Sequence, residues 1–296
     1  MKFGIQIVPE DPWQTAREKW HRAEQLGFDH AWTYDHLNWR AFRAKDWATA
    51  VPTLTAAAVE TTRIKLGVLV ASPNLRDPAY LAKEVTTLDD IADGRLVLGL
   101  GSGAEGYDAK MTRRVPWSRR ERTERFDEYV RLTDLLLRQP VTTFDGRYYV
   151  ADEVHSHPLC RQVPRVPFAI AAGGPRGMRL AAEYGSYWVT TGVPSRVESA
   201  PYEQALPIVR QQVEAFEKAC GEVGRDPDSV ARLLICGPSV GGVLASPEAF
   251  FDAAGRFAEA GITDFVVQWP RTSEPFLGKV EILEKVAAEL NRPRNT

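Results

Sequence analysis

Short runs of Val, Ile and Leu alternate along the chain with longer segments in which apolar residues recur every three or four positions. The short runs are typical of strands buried on both faces, and the longer segments of amphipathic helices. The pattern predicts eight strands: Phe3–Val8, Asp29–Tyr34, Ile64–Val70, Arg95–Leu100, Pro167–Ala171, Tyr187–Thr190, Ala231–Cys236 and Asp264–Val267. We therefore expect an α/β fold, a (β/α)8 or TIM barrel in a single domain over residues 1–296.

Capping residues mark the ends of the predicted helices. Asp77-Pro78 is expected to begin a helix that Gly94 ends, because aspartate caps helix N-termini and glycine tolerates the conformation that follows a helix. Asp11-Pro12 and Ser246-Pro247 are expected to begin two further helices in the same way. Strands that alternate with helices in this way fit a barrel, whose active site lies where the strands meet the loops that follow them.

Three segments interrupt this alternation and predict insertions into the barrel. They are Gly103–Arg120 after the fourth strand, Pro140–Pro164, and Gly192–Pro201 after the sixth strand. The middle segment predicts a β-hairpin over residues 141–150, because Asp145-Gly146 suits a two-residue turn.

Composition narrows the class of protein. Apolar residues make up 44% of the 296 residues and charged residues 26%, as in ordinary globular proteins. The 37 basic and 39 acidic residues give a net charge of −2, which disfavours binding to nucleic acid or to an anionic membrane. The three cysteines form no paired motif, and no apolar run is long enough to cross a membrane. We expect a cytoplasmic protein.

Candidate chemistry begins after the second predicted strand, with Asp35 and His36. An imidazole at a strand end of a barrel is suited to proton transfer near neutral pH, and Asp35 is expected to orient it. The alternative is a structural loop histidine bonded to the backbone. Trp32 and Trp39 flank the pair, either as walls of a pocket for a planar ligand or as core residues.

Two glycine-rich segments follow other strands. The segment from Gly99 to Gly106 formally matches a dinucleotide-binding fingerprint. That motif needs a helix directly after it, whereas the polar residues that follow here, interrupted by Pro116, do not predict one. A glycine-lined strand end that a flat ring approaches is the preferred interpretation. Gly173 to Gly177 begins a predicted helix, where free N–H groups and Arg176 suit a phosphate; an ordinary turn is the alternative.

Two further clusters carry less chemistry. His155 and His157 resemble metal ligands but lack partnering carboxylates, so no metal site is expected. An arginine-rich segment is either a solvated helix face or a surface for an acidic group: Arg113, Arg114, Arg119, Arg120, Arg122 and Arg125.

Taken in order, these segments resemble the luciferase-like superfamily, in particular its branch that uses the deazaflavin coenzyme F420. The resemblance rests on four stretches: Thr33–Leu37, Leu66–Val70, Pro78–Gly101 and Gly173–Gly177. It implies hydride transfer between F420 and a small organic substrate. The alternative with the same fold is a monooxygenase that uses reduced FMN and oxygen. A metal-dependent hydrolase and a flavin-binding protein without catalysis are the rival interpretations. A homodimer is a further expectation from the resemblance.

The resemblance also implies roles for individual residues. Asp35 and His36 correspond to catalytic positions, and Leu69-Val70 to a non-proline cis peptide behind the cofactor ring. Ser102 corresponds to a cofactor contact, and the phosphate-binding loop corresponds to Gly173, Gly174, Arg176 and Gly177. One departure concerns the sugar-phosphate dehydrogenases of this branch, which place an acidic residue where this chain has Ala104, with Glu105 one residue later.

Overall fold

Parallel strands close into a barrel, as the hydrophobic pattern predicts. The computed structural model describes residues 1–37, 39, 42–104, 106–112, 117–193 and 200–292. Its strands are β1 (Lys2–Ile7), β2 (His30–Thr33), β3 (Lys65–Ala71), β4 (Leu96–Leu100), β5 (Val141–Asp145), β6 (Val150–His155), β7 (Phe168–Ala171), β8 (Tyr187–Thr190), β9 (Ala231–Ile235) and β10 (Asp264–Gln268). Within these ranges eight strands form the barrel in the order β1-β10-β9-β8-β7-β4-β3-β2, and β5 pairs with β6 in a separate hairpin. The predicted (β/α)8 fold is confirmed.

Helices connect the strands. They are α1 (Trp13–Gln25), α2 (Ala50–Glu60), α3 (Pro78–Ile91), α4 (Tyr107–Thr112), α5 (Arg119–Arg138), α6 (Pro175–Tyr184), α7 (Leu206–Glu222), α8 (Pro247–Glu259) and α9 (Val280–Leu290). Asp77 caps α3 by accepting a hydrogen bond from the Ala79 N–H at 2.9 Å, as predicted. Asp11 does not cap α1, because its carboxylate pairs instead with the Lys19 ammonium at 2.5 Å.

Side chains of alternate strand residues fill the inside of the barrel. Trp32 lies there fully buried, in a cluster separate from the core between the strands and the helices. Its ring fits because the neighbouring strand carries glycine at the same level: a Cβ on Gly67 would lie 2.3 Å from the indole. His30 has the same relation to Gly4, whose Cβ would lie 2.1 Å from the imidazole. These two rings therefore fit inside the barrel because a glycine lies beside each of them on the neighbouring strand.

A hairpin forms and its first strand lies where it was predicted, but its second strand is Val150–His155, and the prediction of a two-residue Asp-Gly turn is wrong. Asp145 pairs with Val150, so the connecting loop contains residues 146–149. Glu128 of α5 explains the longer loop, because its carboxylate accepts hydrogen bonds from the backbone N–H groups of Arg147 and Tyr148 at 3.0 and 2.7 Å. A tertiary contact thus overrides the local turn preference.

The arginine-rich segment divides between surface and interior. Arg120 lies exposed on α5 and pairs with Glu124 at 2.7 Å. Arg125 is buried, lies 4.9 Å from the centre of the Trp117 ring, and donates to Asn74 at 2.6 Å. Glu105, Arg113 and Arg114 lie outside the described residues. No described helix is both long and apolar enough to cross a lipid bilayer.

Candidate active site

The loops that follow the strands place the predicted site residues on one rim of the barrel. His36 lies three residues after the end of β2, and Gly173 lies two residues after the end of β7. Because all barrel strands are parallel, both positions belong to the rim at the carboxyl ends of the strands. In the closed barrel β3 and β4 lie between β2 and β7 on one side, and the remaining four strands lie between them on the other. The two segments therefore lie on roughly opposite sides of the mouth.

His36 is held by a carboxylate that sequence reasoning missed. Its Nδ1 lies 2.5 Å from Oδ2 of Asp108, whose Oδ1 accepts a hydrogen bond from the Leu37 N–H at 3.1 Å. A carboxylate accepts hydrogen bonds, so Nδ1 carries the proton and Nε2 stays available in the neutral ring. The His36 side chain is 31% exposed, and Asp108 13%. A substrate in the mouth can therefore reach the imidazole.

Asp35 has a different partner, and the expectation that it orients His36 is wrong. Its buried carboxylate accepts two hydrogen bonds from Arg76, at 2.9 Å from Nε and 2.7 Å from Nη2. Arg76 also donates to Glu84 at 3.2 Å. Burial raises the pKa of Glu84 above its ordinary value in spite of this guanidinium. The two-pronged pair ties the loop after β2 to the loop before α3.

Aromatic rings surround the imidazole. The ring centres of Tyr34, Trp39 and Trp47 lie 6.2, 6.2 and 6.1 Å from that of His36. Trp39 also stacks on Phe276, in the loop after β10, at 6.3 Å with an interplanar angle of 11°. Trp32 belongs to the core. Trp39 is half-buried beside the imidazole, and its role as a wall of a ligand pocket stays a prediction.

The glycines of β4 serve packing between strands. A Cβ on Gly99 would lie 1.9 Å from the carbonyl oxygen of Val68, and one on Gly101 would lie 2.4 Å from the Val70 side chain. β3 fills the space beside these two glycines, and the approach of a flat ring to this strand end stays a prediction. The peptide bond between Leu69 and Val70 is cis, as the family resemblance implies. Ser102 lies half-buried on the rim beyond β4.

The turn after β7 is open. A Cβ on Gly173 or Gly174 would meet no atom within 4 Å, and no side chain caps the N-terminus of α6. The N–H groups of the first turn and the helix dipole therefore face space that an anion can fill. Arg176 is exposed and lines a groove of about 700 Å³ between α5, the hairpin and α6. Its predicted phosphate contact stays a prediction.

Asp108 and Gln268 are the main residues that the sequence did not reveal. Asp108 lies on α4, in a segment whose polar residues gave no helix signal. Gln268 at the end of β10 accepts a hydrogen bond from the Tyr34 hydroxyl at 3.2 Å and donates to the Cys236 carbonyl at 3.1 Å. The sequence signal available for Asp108 was its position as an acidic residue in the loop after the fourth strand. Which residue Asp108 contacts is decided only by how the loops fold.

Comparison with known proteins identifies the family of the chain. The family model described as luciferase-like monooxygenase matches residues 1–254. The chain belongs to the luciferase-like monooxygenase family. It is 38% identical over 179 residues to an F420-dependent glucose-6-phosphate dehydrogenase of Beutenbergia cavernae, a match that covers 59% of this chain and 51% of that protein. It is 29% identical over 269 residues to a 5,10-methylenetetrahydromethanopterin reductase of Methanolobus tindarius, covering 90% and 74%.

Solved structures of this fold extend the comparison. An F420-dependent secondary alcohol dehydrogenase in complex with an F420-acetone adduct superimposes with a TM-score of 0.81 at 19% identity, covering 98% of this chain and 99% of the other. The F420-dependent tetrahydromethanopterin reductase of Methanopyrus kandleri gives 0.75 at 20% identity, covering 97% and 96%. These two similarities establish the family fold. The chain covers less than two thirds of the length of the first sugar-phosphate dehydrogenases that it matches.

Proposed function

We propose that the chain is an F420-dependent oxidoreductase that transfers a hydride between the deazaflavin and a small organic substrate. The observation that carries the proposal is the His36–Asp108 pair, which lies on the same rim of the barrel as the open Gly173-Gly174 turn. Relatives named as F420-dependent dehydrogenases support this choice of cofactor.

The residues present fit a flat, phosphorylated cofactor. Gly173, Gly174 and the N–H groups at the start of α6 would hold its phosphate, because nothing fills the space above them. Leu69-Val70 and Ser102 lie on the strand ends between this turn and His36. Gln6 on β1 is fully buried, and its amide has no hydrogen-bond partner among the described residues. A polar ring above the floor of the mouth would suit that amide.

The protein groups at the mouth then handle the proton. The bound deazaflavin supplies or accepts the hydride, and the chemistry of that step belongs to the cofactor. In the reducing direction His36 gives a proton to the substrate oxygen, and in the oxidising direction Nε2 accepts one. Asp108 fixes the ring and stabilises its positive charge. The rings of Tyr34, Trp39 and Trp47 limit the access of water to the imidazole.

The test measures the binding of F420 and of FMN to the purified protein by fluorescence. We expect F420 to bind and FMN to bind more weakly. Gly174→Glu places a carboxylate where the phosphate would lie, in a backbone conformation that any residue adopts, and should abolish binding. Gly255→Glu on α8 is the matched control, since a side chain there also meets no atom within 4 Å.

The outcomes distinguish the alternatives. Tight binding of FMN without binding of F420 would reverse the assignment and favour a monooxygenase that uses reduced flavin, as the family description allows. F420 binding that Gly174→Glu leaves intact would remove the phosphate loop from the proposal. F420 binding without turnover of any substrate would favour a cofactor-binding protein without catalysis.

A further inference from the structure

A cleft opens on the rim between the loops that follow β9 and β10. Its volume is about 260 Å³, enough for a small organic molecule. Gln268 lies at its inner end, and apolar side chains form most of its wall: Pro238, Val240, Val243, Leu244, Phe276 and Leu277. Among the described side chains that line the cleft, the polar ones are those of Gln268 at the barrel end and Glu274.

The described residues around the cleft offer no free cation to an anionic ligand. Among the described residues that line it none is Lys or Arg, and the carboxylate of Glu274 is the one charged group. Arg271, in the same loop, is buried, and its donors are used within the loop and by Glu10. Its Nη2 donates to Glu10 at 2.7 Å, and its Nη1 donates to the carbonyls of Ser273 and Pro275 at 2.8 and 2.6 Å. A phosphate or carboxylate in the cleft would meet a negative charge without a compensating cation.

Two lines of contact connect this cleft to His36. Phe276 in its wall stacks on Trp39, which stacks on the imidazole. Gln268 at its inner end accepts the hydrogen bond of Tyr34, whose ring lies 6.2 Å from that of His36. The cleft and the imidazole thus share walls, as two parts of one substrate site would.

We propose that this cleft binds the apolar substituent of an uncharged ketone or of the corresponding alcohol, whose oxygen lies at His36. This inference rests on the proposed function. In the reducing direction the carbonyl carbon gains a hydride from the reduced deazaflavin and the oxygen gains a proton from His36, so the ketone becomes the alcohol and the deazaflavin is oxidised. Sugar phosphates, which are substrates in the names of several relatives, should bind poorly to this cleft, because its described residues supply a carboxylate and no free cation.

The test uses a homologous series of straight-chain methyl ketones, with glucose 6-phosphate as the anionic probe. Both F420-linked turnover and direct binding by calorimetry without cofactor are measured. We expect kcat/KM and affinity to rise roughly threefold to fourfold for each added methylene until the cleft is full. Glucose 6-phosphate should neither bind nor react.

Two variants place the effect in the cleft. Gly237→Leu adds a side chain where a Cβ meets no atom within 4 Å, and should shorten the ketone that binds best. Leu277→Lys adds a cation at an exposed wall position and should weaken the binding of long ketones about tenfold. Val163→Lys is the matched control, because Val163 is exposed just before β7, at the opposite end of the barrel.

The outcomes separate this proposal from the proposed function. An affinity that does not depend on chain length, or a preference for glucose 6-phosphate, overturns the apolar cleft even if F420 binds. Chain-length dependence that Gly237→Leu does not change also overturns it. Ketone binding that follows the expected series in a protein that fails to bind F420 supports the cleft and contradicts the proposed cofactor.

Discussion

Two histidine–aspartate pairs lie at opposite ends of the barrel, and they differ in what the second ring nitrogen does. His30, at the start of β2, lies 3.1 Å through Nε2 from Asp264, and its Nδ1 accepts a hydrogen bond from the Trp32 indole at 2.7 Å. The side chains of this pair are only 1% and 3% exposed. His36 at the mouth uses Nδ1 for Asp108 and makes no other hydrogen bond within the described residues.

The difference shows how the same side chains serve stability or chemistry. An indole N–H only donates, so His30 accepts at Nδ1, donates at Nε2 to Asp264, and is fixed as one neutral tautomer. Burial alone would raise the pKa of Asp264, but the hydrogen bond from His30 brings that pKa below its ordinary value. The second ring nitrogen of His36 has no partner among the described residues, and the side chain is partly exposed. We call the His30–Asp264 pair the lower pair and the His36–Asp108 pair, at the mouth, the upper pair. We infer that the lower pair stabilises the barrel and that the upper pair transfers protons.

The largest expected effect is on activity, from His36→Leu. Loss of a positioned general acid or base should lower kcat/KM by roughly 10²- to 10⁴-fold. Because the side chain is partly exposed, the free energy of unfolding should change by less than about 1 kcal/mol. Steady-state kinetics and denaturant unfolding measure the two quantities. Unchanged turnover would remove His36 from the mechanism.

The same substitution at the lower pair, His30→Leu, should act on stability. It leaves Asp264 buried without its main partner and the Trp32 indole without an acceptor, so unfolding should become easier by roughly 3–5 kcal/mol. The folded fraction should keep its kcat. Denaturant unfolding and active-site titration give the two values. A large loss of kcat at full stability would contradict the division between the two pairs.

A smaller effect is expected from Asp108→Asn. The amide oxygen can still accept from Nδ1, but the charge-assisted part of the bond, about 1.5 kcal/mol, is lost, which corresponds to roughly a tenfold decrease in kcat. KM and F420 affinity should stay near their original values, since a positioning residue acts through His36. Asp127→Asn on the exposed face of α5 controls for the change in net charge. An effect confined to KM would contradict this role.

The sequence predicts most of the frame that holds these pairs. Barrel strands were located within about one residue of their ends, because β-branched runs buried on both faces have few other interpretations. His36 was found because it follows such a strand directly. His30 was overlooked although it alternates with Trp32 inside β2, and its glycine partner Gly4 was the signal that could have revealed it.

Partners across loops were beyond sequence reasoning. Asp35 and Asp108 are both acidic residues near the same histidine, and only the folded loops decide that the first pairs with Arg76 and the second with His36. The cleft beside Gln268 depends on the loop after β9 and the loop after β10, which are distant in the chain and whose apolar residues carry no periodic pattern. Contacts of this kind depend on tertiary geometry, which local pattern does not encode.

The smallest expected effect is the pH dependence of stability from Asp264→Asn. The pKa of Asp264 is lower in the folded state than in the unfolded chain, so its contribution is present above the unfolded pKa of about 3.9 and is lost as pH falls through the folded value. At neutral pH the variant should be less stable by roughly 1 kcal/mol, because an amide accepts a weaker hydrogen bond. That difference should shrink on acidification below about pH 5. Thermal unfolding across this range measures it, with Asp152→Asn on the exposed hairpin as the control. If the difference in stability between the variant and the original protein did not depend on pH, the lower pair would not depend on the charge of Asp264. The lower and upper pairs would then differ only in how deeply they are buried.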